Sequence, residues 1–245
     1  MTNLTIAFNT LFHMPVTPYA LSELATKFRQ WLATVYTPEE IAELITDDAG
    51  YPGWREVDAA FGALLTGNHL PNLSRDEEVA LLYLIARNWD IGTMIAWLSP
   101  GPALSNDGPL RPADFFRLGH VLVSLSSPEF RDAKLQFAAA CKKLGVLTLD
   151  ARQLLQALFA EPNEDVKKYA LTSLAALNAP DLRWFVEQAW ASVTDEHSLM
   201  ACLQVAVDHL HDRDLVLRYL EQASQVPGRY LQEYVTELRQ NLDNA

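Results

Sequence analysis

Cysteine is scarce in this chain, and the sequence patterns that mark many enzymes are missing from it. The two cysteines, Cys141 and Cys202, form no CxxC pair and no Cys/His ladder, so neither a disulfide scaffold nor a zinc site is indicated. Phosphate-binding glycine loops, GxSxG elbows and HExxH helices are also lacking. We therefore predict no cofactor, no metal and no catalytic residue, and we interpret both thiols as buried and reduced in a cytoplasmic protein.

Long uninterrupted apolar runs are missing as well. The most apolar window, residues 79–98, carries Arg87 and Asp90 at its centre, where a membrane span should not hold two charges. The N-terminal segment has neither the basic start nor the small-residue cleavage pattern of a signal peptide. These features predict no membrane contact, and the window is interpreted as two core helices that meet at a bend.

Positive charge is in deficit along the whole chain. Lysine and arginine number 19 against 31 acidic residues, for a formal net charge of −12. Nucleic-acid binding requires a positive surface that displaces counterions, so we expect no nucleic-acid partner. A basic protein partner would suit this charge, and so would solubility alone. The sequence leaves the oligomeric state unknown.

Helix signals dominate what the sequence does contain. Capping boxes at Thr37 to Glu40 and at Ser74 to Glu77 predict two helix starts. The Pro/Gly-rich segment 99–112 predicts a long loop between an irregular helical N-terminal region, 1–98, and a regular region, 113–245. We expect one continuous all-α domain, and the alternative is two helical domains hinged at 99–112. The letters LTIAF near the start could instead form a short strand.

The regular region reads as four consecutive helical hairpins. The second helices of the last three hairpins align at shifts of 33 and 32 residues, which is typical of a repeat protein, and that of the first hairpin aligns less well, at a shift of 36. Three copies carry the apolar stripe: Val166, Ala170, Leu174 and Leu177, then Leu199, Leu203, Val207 and Leu210, then Leu231, Val235, Arg239 and Leu242. Arg239 breaks the last copy, as an end repeat that faces water can do.

Residues 154–177 carry a family resemblance. A leucine-rich helix leads to a turn at Pro162, and the next helix begins Asp165-Val166-Lys167 and continues with Ala170 and Leu174. This pattern resembles a HEAT-type helical repeat, although the spacing is shorter than usual for that family. The resemblance implies a right-handed α-solenoid of stacked antiparallel helix hairpins, in which each hairpin supplies the apolar wall that its neighbour lacks.

Acidic residues recur in the turns within these hairpins. Stacking would align the turns and gather Glu129, Glu164, Asp165, Asp195 and Glu196 into an acidic rim. Such a rim could steer a basic partner. The plainer explanation is the preference of acidic residues for helix starts, which accounts for each site separately.

Trp184 and Trp190 lie six residues apart on one predicted helix, so they cannot point the same way. One of them could therefore be exposed and anchor a partner, but packing against the next repeat is the favoured interpretation. The predicted partner-binding residues are thus Glu164, Asp165, Asp195, Glu196, Trp184 and Trp190.

Other titratable residues receive structural interpretations. In the segment DHLHDRD, His209 and His211 are too far apart around a helix to share an ion, and Asp212 is placed to cap the next helix. The pairs Asp47-Asp48 and Glu77-Glu78 are interpreted as helix-end acids, and His120 as a partly buried core residue.

Three functions remain open. The first is a non-catalytic protein-binding scaffold or adaptor that uses a concave face and the acidic rim. The second is an immunity or inhibitor protein that neutralises a basic toxin or nuclease. The third, an enzyme like the HEAT-like DNA glycosylases, is disfavoured because it needs a basic groove, and the only paired basic residues are Lys142-Lys143 and Lys167-Lys168.

Overall fold

A computed structural model describes residues 20–43, 46–67, 69–88, 93–98 and 112–243. All regular structure in these ranges is helical, and they contain no strand. The possible strand near the N-terminus and the predicted loop up to residue 111 lie outside the described residues. None of the described helices is both long and apolar enough to span a membrane.

The helix boundaries follow the sequence signals closely. The earlier helices are α1 Ala20–Val35, α2 Pro38–Ala42, α3 Trp54–Thr66, α4 Arg75–Arg87, α5 Thr93–Leu98 and α6 Pro112–Val123. The later helices are α7 Arg131–Cys141, α8 Leu149–Phe159, α9 Glu164–Ala176, α10 Leu182–Ser192, α11 Glu196–Val205, α12 Arg213–Ala223 and α13 Arg229–Asp243. Short 3-10 turns occupy Asp48–Gly50, Leu70–Asn72, Pro128–Phe130 and Lys142–Leu144, and a π-helical turn, Ala206–Leu210, extends α11.

Both predicted capping boxes are confirmed. The Thr37 hydroxyl accepts from the Glu40 amide at 3.2 Å, and the Glu40 carboxylate accepts from the Thr37 amide at 2.8 Å. At α4 the Ser74 amide donates to the Glu77 carboxylate at 2.7 Å. Each box satisfies amides that a helix start leaves without partners, so local sequence is sufficient to begin both helices.

The chain divides into two compact units, with the boundary between Gln136 and Phe137, inside α7. In the first unit α1 packs against α3 and α4, and α6 packs against α4. Its core includes an aromatic cluster of Phe28, Tyr51, Trp54 and Tyr83, with ring centroids 4.7 to 6.0 Å from Phe28. Helix α6, predicted as the first member of the repeat series, therefore belongs to the first unit.

The second unit contains three helix pairs, α8/α9, α10/α11 and α12/α13. Helix α9 packs against α8, α10 and α11, and α11 packs against α13 as well. The predicted stripe on α9 is fully buried, because the small Ala170 allows close approach while the leucines fill the space between helices. On α11 the stripe departs from prediction after Leu203. The π-helical turn shifts the register there, so Val205 and Ala206 are buried while Val207 is only partly covered.

Candidate functional site

Glu164, at the first position of α9, joins its own helix pair to the following one. Its carboxylate accepts hydrogen bonds from the amides of Thr194 and Asp195, both at 2.9 Å, and from the Thr194 hydroxyl at 3.0 Å. Partial burial pushes the pKa of Glu164 upward, but these hydrogen bonds outweigh it and hold the pKa below its ordinary value. The carboxylate thus satisfies amides at the start of α11.

Glu196 repeats this arrangement one pair later. It occupies the first position of α11, and its carboxylate accepts from the amides of Tyr230 and Leu231 at 3.1 and 3.2 Å. Gly228 permits the approach, because a Cβ at that position would lie 2.6 Å from Glu196 Oε2. Its positive φ of 155° also disfavours any other residue. Glu164 and Glu196 therefore join successive second helices, and we call both carboxylates clips. Glu164 bonds to the turn and cap amides that precede α11, whereas Glu196 bonds to amides inside the first turn of α13.

Asp195 and Asp165, which were also predicted for the rim, have local partners. Asp195 caps α11, since its side chain accepts from the Ser198 amide at 2.8 Å. Partial burial acts to raise the pKa of Asp195. The hydrogen bonds that its carboxylate accepts have the larger combined effect, so the pKa lies below its ordinary value. Asp165 pairs with Lys168 of its own helix at 2.6 Å, and its side chain stays half-exposed. Of the four acids, only Asp165 has no helix start to satisfy.

A second set of contacts, which was not predicted from the sequence, joins the first helices of successive pairs. Arg152 of α8 contacts Asp181 before α10 at 2.8 Å, and Arg183 of α10 contacts Asp212 before α12 at 2.7 Å. Arg213 of α12 has a different role, because it donates to the Leu242 carbonyl of α13, within the last pair, at 3.4 Å. The 29-residue separation that the two ion pairs share is the signal that could have found them.

The two tryptophans occupy different environments. Trp190 stacks on Tyr219 of α12, the first helix of the following pair, with ring centroids 4.2 Å apart. Its indole N–H donates to Gln222 Oε1 at 2.6 Å. Trp184 is 53% exposed, although one edge of its ring contacts Phe159 and Phe185. Trp190 is thus a junction residue, while Trp184 presents an apolar surface to solvent.

The exposed side of the second helices carries polar and aromatic groups. The Tyr234 hydroxyl donates to Gln204, whose amide donates to Asp208 at 2.6 Å. Burial, with the nearby acidic residues Asp208 and Glu237, raises the pKa of Tyr234 to about 12. Neutral tyrosine hydroxyls and side-chain amides at a surface are suited to hydrogen bonding with a partner rather than to proton transfer.

The first unit buries Asp48 and Glu78, two acids that were predicted at helix ends and that do lie in first helical turns. Asp48 faces Arg87 at 3.4 Å, and desolvation raises the pKa of Asp48 although Thr46 and Arg87 oppose the shift. Glu78 pairs with Arg117 of α6. Structural pairing explains both acids, because a buried charge without a partner is strongly destabilising.

Three further predictions about single residues have different outcomes. His120 is exposed, so the prediction of partial burial was wrong; it lies on the outer side of α6, away from the buried Leu118 and Leu122. Glu129, predicted as the first acid of the rim, lies in the first unit, where it pairs with Arg29 at 3.7 Å. Asp212 does cap α12 as predicted, by accepting from the Leu215 amide at 3.0 Å.

Metal-ligating side chains do not converge within the described ranges, where no group of three or more His, Cys, Asp or Glu could hold an ion. Cys141 and Cys202 are buried free thiols, and burial raises the pKa of each to about 12. A thiol with so high a pKa is a poor nucleophile at neutral pH.

The chain matches no family model, no curated protein and no solved structure.

Proposed function

We propose that the second unit is a right-handed, HEAT-like α-solenoid and that it acts as a non-catalytic protein-binding scaffold or adaptor. The observation that carries this proposal is the recurrence of equivalent contacts at successive junctions. Glu164 and Glu196 clip the second helices, and the Arg152–Asp181 and Arg183–Asp212 pairs link the first helices. Repeats joined in this manner build extended surfaces suited to binding other proteins.

The proposed binding face is the exposed side of α9, α11 and α13, which would form the concave face of the stack. His197 and Gln204 lie one above the other on α11, and Asp208 follows in the π-helical turn that extends it. Tyr230 and Tyr234 lie one turn apart on α13. His197 stacks on Tyr230, with ring centroids 5.7 Å apart. Tyrosine supplies contact area at low conformational cost, which favours its use in recognition.

The acidic rim takes a reduced part in this proposal. Glu164, Asp195 and Glu196 already accept backbone hydrogen bonds, so Asp165 is the rim acid best placed to meet a basic protein. The net charge of −12 supports a second candidate, an immunity or inhibitor protein that neutralises a basic toxin or nuclease. Either function suits a cytoplasmic protein with buried thiols.

The test uses the full chain as bait in its native cell, with mass spectrometry of the captured proteins and reconstitution from purified components. A chain with Asp208→Lys and Tyr234→Ala should lose the partner, because these changes alter the proposed face. The matched control places lysines at the exposed Gln153 and Gln188 of the first helices and should keep the partner.

Equal binding by both variant chains in the reconstituted system would rule out the proposed face. Asp165→Lys then tests the rim without removing a junction contact, unlike reversal of the other three acids. For the inhibitor function, the captured partner should be basic, and its activity should fall when the purified chain is added. If the activity of the partner does not change, the inhibitor function is excluded and the scaffold function stands.

A further inference from the structure

The junction between α10/α11 and α12/α13 is held by different chemistry at its two edges. At the first-helix edge, Arg183 and Asp212 form an ion pair whose side chains are 56% and 27% exposed. At the second-helix edge, the Glu196 carboxylate bonds to backbone amides. Salt screens the attraction between two exposed charges, whereas a bond to a neutral amide depends on it far less.

Both members of the ion pair have other partners at hand. Arg183 Nε also donates to Glu187 Oε1 of its own helix at 3.1 Å. Asp212 also accepts from the Leu215 amide, as the cap of α12. Separation of Arg183 from Asp212 would therefore leave neither charge without a partner.

At the preceding junction, between α8/α9 and α10/α11, the acid has no alternative partner of this kind. Asp181 contacts Arg152 through Oδ2, but it makes no side-chain capping bond, and its Oδ1 is buried without a hydrogen-bond partner. Loss of Arg152 would leave the Asp181 carboxylate unsatisfied, which is costly for a partly buried group. The α10–α12 contact is accordingly the one that can open.

The opposite ends of α10 and α12 are joined by contacts that do not depend on ionic strength. Trp190 stacks on Tyr219 with an interplanar angle of 12°, and it donates to Gln222. The Arg183–Asp212 pair lies at the N-terminal ends of the same two helices. One end is thus held by charge and the other by aromatic packing.

The geometry points to a salt-responsive hinge between α10 and α12. At high ionic strength the attraction between Arg183 and Asp212 is screened, the N-terminal ends of the two helices separate, and the Trp190–Tyr219 stack serves as the pivot. This inference depends on the junction contacts and not on the identity of any partner.

Spin labels on two matched pairs of exposed positions test the hinge by distance measurement. Trp184→Cys with Asp214→Cys reports the end held by charge, and Gln188→Cys with Arg218→Cys reports the pivot end. The native cysteines are buried, which directs the label to the introduced thiols. Raising the salt from about 10 mM to about 1 M shortens the Debye length from about 30 Å to about 3 Å.

The distance between labels at 184 and 214 should lengthen with salt, while the distance between those at 188 and 218 stays constant. Asp212→Asn keeps a capping side chain and removes the charge, so it should give the longer 184–214 distance already at low salt. The inference is overturned by a 184–214 distance that ignores salt, by equal lengthening at both pairs, or by an unchanged distance in Asp212→Asn.

Discussion

Replacing Glu164 by glutamine removes the charge from the clip between α9 and α11 and keeps its shape. The carboxylate accepts three hydrogen bonds from Thr194 and Asp195, and a glutamine oxygen can accept part of this set as a neutral group. Hydrogen bonds to a charged acceptor are about twice as strong as neutral ones. We therefore expect Glu164→Gln to lower the free energy of unfolding by about 1 kcal/mol. Glu164→Ala should lower it by about 2 kcal/mol, since it removes the acceptor entirely.

The effect has a defined pH dependence. The pKa of Glu164 in the folded chain lies below its ordinary value, which is about 4.3 in an unfolded chain. The carboxylate consequently stabilises the fold in full above that unfolded value, and this stabilisation is lost as the pH falls through the folded pKa. The difference in unfolding free energy between the parent and Glu164→Gln should be constant near neutrality and shrink below about pH 4.

Urea denaturation over this pH range measures the difference, and hydrogen exchange at the Thr194 and Asp195 amides locates it. The matched control is Asp165→Asn, at the adjacent residue, which removes the charge that pairs with Lys168. It should change the free energy of unfolding by less than about 0.5 kcal/mol. If both variants lose the same free energy, or if the two amides exchange at the parental rate in Glu164→Gln, the clip does not hold the junction.

Four further substitutions test the packing of the second unit. Ala170→Glu buries a charge at a fully buried site and should cost more than about 3 kcal/mol in thermal or chemical denaturation; near-parental stability would contradict the stacked arrangement. Gly228→Ala should cost about 1–2 kcal/mol, because the added Cβ displaces the Glu196 carboxylate. The cost should be smaller in a chain that already carries Glu196→Ala. Strict additivity of the two substitutions would exclude displacement of the carboxylate as the cause. Trp190→Ala should cost about 2–3 kcal/mol and Trp184→Ala under about 1 kcal/mol, and denaturation midpoints in the reverse order would show that their environments are misassigned.

Local signals in the sequence were sufficient for most helix boundaries. The capping boxes at Thr37 and Ser74 begin helices as predicted, because the side chain that completes each box lies three residues along the chain. The apolar stripe on α9 predicted its buried face, since helical periodicity alone brings Val166, Ala170 and Leu174 to one side.

Contacts between residues distant in sequence were not predictable in this way. The sequence marked Asp48 and Glu78 as helix-end acids, whereas the fold buries them against Arg87 and Arg117. Likewise, Trp184 is exposed and Trp190 packs at a junction, although both are tryptophans on the same helix. The neighbouring helices decide this difference.

The sequence by itself determined that this protein is helical and where its helices begin, because capping, periodicity and turn residues act over a few positions. Only the tertiary structure decided what the acids in the turns do. An acid at a helix start can face solvent or reach the start of the next helix. The preference of acidic residues for helix starts is the same in both cases, so the local sequence does not distinguish them. Glu164 and Glu196 reach the next helix because packing brings unsatisfied amides within hydrogen-bonding distance, about thirty residues further along the chain.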